Sequence, residues 1–139
     1  MRFLLCLLSQ DDIFSYNRDI SESVDLPMIV YNIALAGIMD EGLLQRIAQL
    51  DHVKGLKYTA RSHDEMGFLK EKLGKDFMIY SGCDEMALSG FCFGADGIIG
   101  SFYNVIPDIY KKIENSFREG NMPEAIRLQK MADELSSLV

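Results

Sequence analysis

Four short apolar runs recur along the chain, and their spacing is the strongest constraint on how it folds. They cover residues 28–33, 53–60, 77–81 and 98–101. Each has the length of a strand, and each is followed by a stretch with helical periodicity. The first is apolar with almost no break, as in strands of a parallel sheet buried on both faces. Successive runs start on the order of 20–25 residues apart, the span of a right-handed strand–helix–strand crossover. Alternation of this kind predicts an α/β fold with parallel strands.

The intervening stretches carry their own punctuation. Residues 12–24 place Ile13, Phe14 or Tyr16, Ile20 and Val24 at near-helical spacing, with Asp11 or Asp12 as cap and Leu26-Pro27 as stop. A second helix is expected over about residues 40–50, with Leu43, Leu44, Ile47 and Leu50 on one stripe. Ser62-His63-Asp64-Glu65 fits a capping box, Ser first and Glu three residues on. It opens a helix with Met66, Leu69 and Leu73 inward, which Gly74 ends. Residues 84–93 read as a short, nearly all-apolar helix. Pro107 suits the first turn of a helix to Glu119 that packs Ile109, Ile113 and Phe117. Pro123 opens a last helix, with Ile126, Met131, Leu135 and Leu138 expected to face inward.

Composition narrows the function. With 139 residues the chain is long enough for one domain with its own core. Its net charge of -7 argues against a nucleic-acid partner, because phosphate binding needs clustered Lys and Arg. Cys6, Cys83 and Cys92 show no metal-binding spacing, so reduced thiols and a cytoplasmic setting are expected, with no metal. No apolar run approaches the roughly 18 residues of a membrane span. Residues 3–8 predict a buried strand or strand remnant rather than a signal peptide, since the apolar stretch is short and no small-residue cleavage site follows. Residues 1–11 therefore stand as an atypical segment ahead of a domain over 12–139.

The second run holds the residue of most chemical interest. Alternation puts Val53, Gly55, Lys57 and Thr59 on one face of the strand, and Lys54, Leu56 and Tyr58 on the other. If the first face lines a closed, dry interior, desolvation lowers the pKa of the Lys57 amine and leaves it nucleophilic toward a carbonyl. The alternative is a half-buried strand lysine in an ion pair. Tyr31, Lys57, Asp84, Glu85 and Ser101 all fall at strand ends or just beyond, where barrels and open α/β sheets keep their sites. Each has a plainer reading. Tyr31 fits an ordinary strand aromatic, Asp84-Glu85 fit acidic residues favoured at a helix N-terminus, and Ser101 fits a turn cap. Asp96, between Ala95 and Gly97, reads as structural; His52 and His63 read as solvated loop or cap residues. A serine hydrolase is excluded, because no GxSxG elbow is present.

Four segments together carry a resemblance. They are Tyr31-Asn32-Ile33, Gly55-Leu56-Lys57-Tyr58-Thr59, Gly82-Cys83-Asp84-Glu85, and Gly94-Ala95-Asp96-Gly97 followed by Gly100-Ser101-Phe102-Tyr103-Asn104. In this order and spacing the chain from about residue 12 onward resembles the C-terminal half of the N-acetylneuraminate lyases, in the class I aldolase family shared with dihydrodipicolinate synthase. The Asp84-Glu85 pair and the Gly-Ser-Phe-Tyr-Asn run favour the lyase branch over the synthase or another 2-keto acid aldolase. The resemblance implies strands five to eight of a (β/α)₈ barrel. It implies that Lys57 forms a Schiff base with the ketone of open-chain N-acetylneuraminate, with no dissociable cofactor. Tyr31 would shuttle the proton at the sugar hydroxyl, and pyruvate and N-acetylmannosamine would be the products. Asp84 and Glu85 would bind the glycerol tail and hydroxyls; Thr59, Gly82 and Ser101 would line the same pocket. A homo-oligomer is implied as well.

The departures from the family are as specific as the match. A complete barrel takes about 250 residues and eight strands. The family's Gly-Thr/Ser-Thr-Gly-Glu type loop, which holds the substrate carboxylate, has no counterpart here, nor does the tyrosine supplied by a neighbouring subunit. Ala34 stands where the family has proline, the run to Gly37 is one residue short, and residues 1–10 do not match the family's fourth strand. A truncated or frame-shifted reading of a longer gene is one expectation; a non-catalytic fragment or assembly module is the alternative to an active lyase. Half a barrel has two unpaired strand edges, with two outcomes: either two copies pair into a pseudo-barrel that buries them, or the chain stays an open fragment whose Lys57 is solvated and a poor nucleophile.

Overall fold

The computed structural model describes residues 8–34 and 39–138. Its elements run α1 (Gln10–Ser23), β1 (Met28–Ile33), α2 (Glu41–Ile47), β2 (Val53–Thr59), α3 (His63–Leu73), β3 (Met78–Ser81), α4 (Ala87–Cys92), β4 (Gly97–Ile98), α5 (Pro107–Arg118) and α6 (Met122–Ser136). Most of the strand expected over 3–8, and the shortened run to Gly37, lie outside the described residues. The four strands form one parallel sheet in the order β1-β2-β3-β4. Sheet order follows chain order, as in one arc of a (β/α)₈ barrel.

The register divides the side chains between two faces. Val30, Leu56 and Ile79 lie side by side across three strands, all buried, and meet Leu43, Leu44 and Ile47 of α2 and Met66 and Leu69 of α3. One expectation fails here. Val53 does not share the face of Lys57 but packs into this helix-side core, because the β1–β2 register slips by one residue between Met28 and Ile29. The residue accommodated at the slip is Lys54, exposed, with Nζ donating to the Asp51 carbonyl at 2.7 Å. A second core joins Ala87 and Leu88 of α4, Tyr110 and Ile113 of α5, and Ala125, Leu128 and Ala132 of α6.

Helix ends and faces differ from expectation in instructive ways. α1 begins at Gln10 under a capping box formed by Ser9 and Asp12. Ser62 precedes α3 but makes no side-chain capping bond, and the Glu65 carboxylate accepts from the Tyr58 hydroxyl at 3.1 Å. The buried stripe of α1 is Ile13, Asn17 and Ser21, while Tyr16, Ile20 and Val24 are exposed. In α6 the buried residues are Ala125, Leu128, Gln129 and Ala132, and Ile126, Leu135 and Leu138 face outward. Ala125 and Ala132 share the inward face of α6 with Leu128 and Gln129, so several of its larger apolar residues point outward. β4 is two residues long, and the run 84–93 splits into a 3₁₀ turn, Asp84–Met86, and the single helical segment α4. No helix among the described residues is long and apolar enough to cross a membrane.

Two polar residues hold the layers together. Asp96 sits just before β4 and its Oδ2 accepts from Lys70 Nζ and from the Ile79 backbone N–H, both at 2.7 Å. It thus ties α3 and β3 to the start of β4, the structural role expected of it. His63 is not solvated but 3% exposed, with Nδ1 2.8 Å from Ser89 Oγ and the ring edge-on to Phe93. Burial lowers its pKa below the ordinary 6.5, against the smaller opposing pull of Asp64.

Two outcomes follow. Asp96→Ala strands the Lys70 ammonium and the Ile79 N–H, so a urea titration should show a loss of about 2–3 kcal/mol, with Asp96→Asn costing less. The His63 shift contributes stability above its unfolded value of 6.5 that is lost as pH falls through the folded value, because the unfolded chain takes the proton first. Urea midpoints at about pH 8 and about pH 5.5 should therefore diverge more for the wild type than for His63→Gln.

Candidate active site

The sheet face away from α2 and α3 carries the candidate residues in rows. Register pairs Tyr31 with Lys57 and Lys57 with Tyr80, and Tyr80 in turn with Gly97. These side chains leave the sheet on one side because paired residues of parallel strands share a face. Lys57 Nζ lies 4.1 Å from the centroid of the Tyr31 ring. Lys57 is half-buried, Tyr31 is 42% exposed, and no ion pair among the described residues involves Lys57. The ion-pair alternative for this lysine is thereby set aside. A Cβ on Gly97 would come within 3.1 Å of Tyr80, so the tyrosine ring occupies the space that a side chain there would fill.

One layer toward the C-terminal rim, Thr59 faces Ile33 and Gly82. Gly82 donates its N–H to the Tyr58 carbonyl at 2.8 Å, and a Cβ on it would overlap Thr59 Oγ1. Only glycine allows that approach. Thr59 Oγ1 is buried and has no hydrogen-bond partner among the described residues. It is a donor and acceptor aimed into the layer above Lys57.

The acidic pair sits on the 3₁₀ turn after β3. Asp84 turns inward: Oδ2 accepts from the Ser101 N–H at 3.2 Å, and Oδ1 is buried against Gly100, where a Cβ would collide. This carboxylate ties the loop after β3 to the loop after β4. Burial pushes the Asp84 carboxyl up from its ordinary value, opposed by the backbone N–H groups of Ser101 and Phe102 and, more weakly, by the charge of Lys57. Glu85 is exposed and makes no hydrogen bond among the described residues. Ser101 is exposed too, its carbonyl receiving the Asn104 side chain at 3.3 Å. Beneath them Tyr103 stacks edge-on to Tyr110 with centroids 4.3 Å apart; its hydroxyl is buried and unpartnered, and burial raises its pKa.

The expected residues thus fall into two sets on one rim. Tyr31, Lys57, Thr59 and Gly82 ride on strands of the first core; Asp84, Glu85 and Ser101 ride on loops braced by the second. Tyr80 and Gly97 belong to the Lys57 row; Gly97 stood in a segment that carried the resemblance, whereas Tyr80 was not singled out from sequence, although strand alternation applied to the third run would have found it. A cavity of about 450 Å³ lies elsewhere, on the helix side between α2 and α3, lined by Met39, Leu44, Tyr58 and Phe68 among others. It opens on the face opposite Lys57 and is not the candidate site. No group of three or more His, Cys, Asp or Glu among the described residues is placed to hold a metal ion.

Comparison with known proteins agrees with this fold. Residues 5–139 match the dihydrodipicolinate synthetase family, which takes in residues ahead of the four segments that carried the resemblance. An N-acetylneuraminate lyase of Salmonella paratyphi B (strain ATCC BAA-1250 / SPB7) is 37% identical over 127 residues, 88% of this chain and 42% of that protein. An uncharacterized DapA-like lyase of Pyrococcus abyssi (strain GE5 / Orsay) is 31% identical over 140 residues, 96% of this chain and 47% of that protein. Among solved structures, a sialic acid aldolase of Ruminococcus gnavus, a catalytic lysine mutant, superposes with a TM-score of 0.90 at 28% identity, over 94% of this chain and 44% of that one. A Bacillus anthracis dihydrodipicolinate synthase shares the fold at 24% identity with a TM-score of 0.86. The chain spans a little under half the length of the relatives it matches. On the family match over nearly its whole length, this chain belongs to the dihydrodipicolinate synthetase family.

Proposed function

We propose that these residues build the reacting part of a class I aldolase site of the N-acetylneuraminate lyase type. The observation that carries the reading is the Lys57 amine standing 4.1 Å from the centroid of the Tyr31 ring, on the uncovered face of a parallel sheet. An amine and a phenol that share a row can act on adjacent atoms of one bound substrate.

The chemistry follows from those two groups. The neutral Lys57 amine attacks the ketone carbon of open-chain N-acetylneuraminate, and loss of water leaves a protonated imine. The imine draws electrons toward nitrogen, so the bond between the α carbon and the hydroxyl-bearing β carbon breaks. Tyr31 takes the proton from the sugar hydroxyl as that oxygen becomes the aldehyde of N-acetylmannosamine. The bonding pair remains as the enamine of pyruvate on Lys57. Protonation at carbon and hydrolysis then release pyruvate and restore the amine. In synthesis the same phenol returns the proton. No metal or dissociable cofactor takes part.

Specificity resides on the other side of the rim. Glu85 offers the unengaged carboxylate for the hydroxyls of the substrate tail, with the Ser101 hydroxyl beside it. Asp84 holds the two loops in place and lines the same pocket, and Thr59 Oγ1 faces the keto-acid end next to Gly82. The preference for a sialic acid over another 2-keto acid aldol rests on Glu85 and Ser101 being free to meet hydroxyls. The outer edges of β1 and β4 have no strand partner among the described residues, which favours a site completed by further strands or by self-association.

Two measurements test the proposal. Incubation with pyruvate and borohydride should add the mass of one reduced pyruvyl group at Lys57, and Lys57→Ala should add none; a gain that survives this substitution refutes the reading. Tyr31→Phe should retain the adduct while slowing N-acetylneuraminate cleavage by on the order of 10²-fold or more.

A further inference from the structure

The turn that carries Asp84 and Glu85 is not held by its own backbone alone. Within it the Met86 N–H donates to the Cys83 carbonyl and the Ala87 N–H to the Asp84 carbonyl, but Met86 makes no side-chain capping bond, so the Leu88 N–H lacks a local acceptor. The acceptor comes from the far end of the chain. Gln129 of α6, 9% exposed, accepts the Leu88 N–H on Oε1 at 2.9 Å. Its Nε2 donates to the Asp84 carbonyl at 3.2 Å and to Asp133 Oδ1 at 2.8 Å. One amide therefore brackets Glu85 from both sides, with a bond to residue 84 and a bond to residue 88.

The orientation of that amide is over-determined. Turning it end for end would set its NH₂ against the Leu88 N–H and its oxygen against two acceptors, the Asp84 carbonyl and the Asp133 carboxylate. Asp133, one helical turn on from Gln129, thus fixes which way the clamp faces. Both amide protons and the oxygen are used, so moving the turn breaks buried bonds without offering replacements. Tyr31 and Lys57 lie on β1 and β2, whose other face packs into the first core, and neither bonds to Gln129.

We propose that Gln129, oriented by Asp133, is a positioning residue that sets the aim of Glu85 and so fixes affinity for the hydroxylated tail of the substrate while leaving the reaction at Lys57 untouched. This rests on the aldolase reading above, in which Glu85 meets that tail. Gln129 touches no substrate.

The test compares two ligands that share the Lys57 reaction and differ in the tail. Wild type, Gln129→Leu and Gln129→Glu are treated with borohydride and increasing pyruvate or N-acetylneuraminate, and the concentration giving half-maximal labelling of Lys57 is read by mass. For both variants the pyruvate value should stay within about twofold of wild type and the N-acetylneuraminate value should rise about tenfold or more. Gln129→Glu keeps an acceptor for Leu88 and loses the donor to Asp84, so it serves if the leucine variant fails to fold. Glu85→Gln should weaken N-acetylneuraminate alike, and adding Gln129→Leu to it should cost less than about a further twofold, since both changes act on one contact. Equal shifts for the two ligands, no shift for either, or full additivity overturn the proposal. If wild-type Lys57 takes up neither ligand, the aldolase reading is what fails. Positioning is then judged on hydrogen exchange: about tenfold faster exchange at Leu88 in Gln129→Leu, with Leu56 and Lys57 unchanged, upholds it, and unchanged exchange at Leu88 overturns it.

Discussion

Side chains on a strand alternate between two faces, so a shift of one residue in the pairing of β2 would carry Lys57 into the layer that Leu56 and Ile79 occupy. Burial of Val30, Leu56 and Ile79 under α2 and α3 forbids that shift. The amine is therefore held on the open face by the apolar residues that flank it. A lysine in a strand is ordinarily a weak element of structure; here the hydrophobic effect acting on its neighbours fixes where its nitrogen goes. The slip at Lys54 shows the same rule from the other side. Val53 is drawn into the helix-side core, and the residue after it is left in solvent, yet the register is recovered by Gly55 in time to present Lys57 beside Tyr31.

The polar groups divide into those that build and those that remain free. Asp84 and Asp96 look alike in sequence, each an acid among glycines and small residues after or before a strand. Asp96 is spent on Lys70 and Ile79, and Asp84 on Ser101. The Glu85 carboxylate and the hydroxyls of Ser101 and Thr59 are left without partners among the described residues. Groups of that second kind, gathered on the C-terminal rim of a parallel sheet, are where this architecture places recognition.

Much of this was legible in the sequence, and the limits have physical causes. The four runs and their parallel pairing follow from spacing, their order in the sheet from the resemblance to a barrel family, and the face of Lys57 from alternation. Motif register pointed to Tyr31, Thr59, Gly82, Asp84, Glu85 and Ser101, and the fold brings all of them to one rim. The inward faces of α1 and α6 were not legible, because small and polar residues such as Ser21, Ala125 and Ala132 are buried there by close helix approach rather than by their own hydrophobicity. His63 read as a cap residue because its partner Ser89 lies on another element. The role of Gln129 was not legible, since beside the local contact to Asp133 its partners are Asp84 and Leu88, more than forty positions away.

The two cores meet along β3 and β4, and β4 contributes a ladder only two residues long. Segments joined by so few backbone bonds separate at lower free energy than those joined by the full β1–β2 ladder. The Gln129 bonds to the Asp84 carbonyl and the Leu88 N–H therefore carry coupling between the loop after β3 and the C-terminal helix pair that so short a ladder supplies only in part.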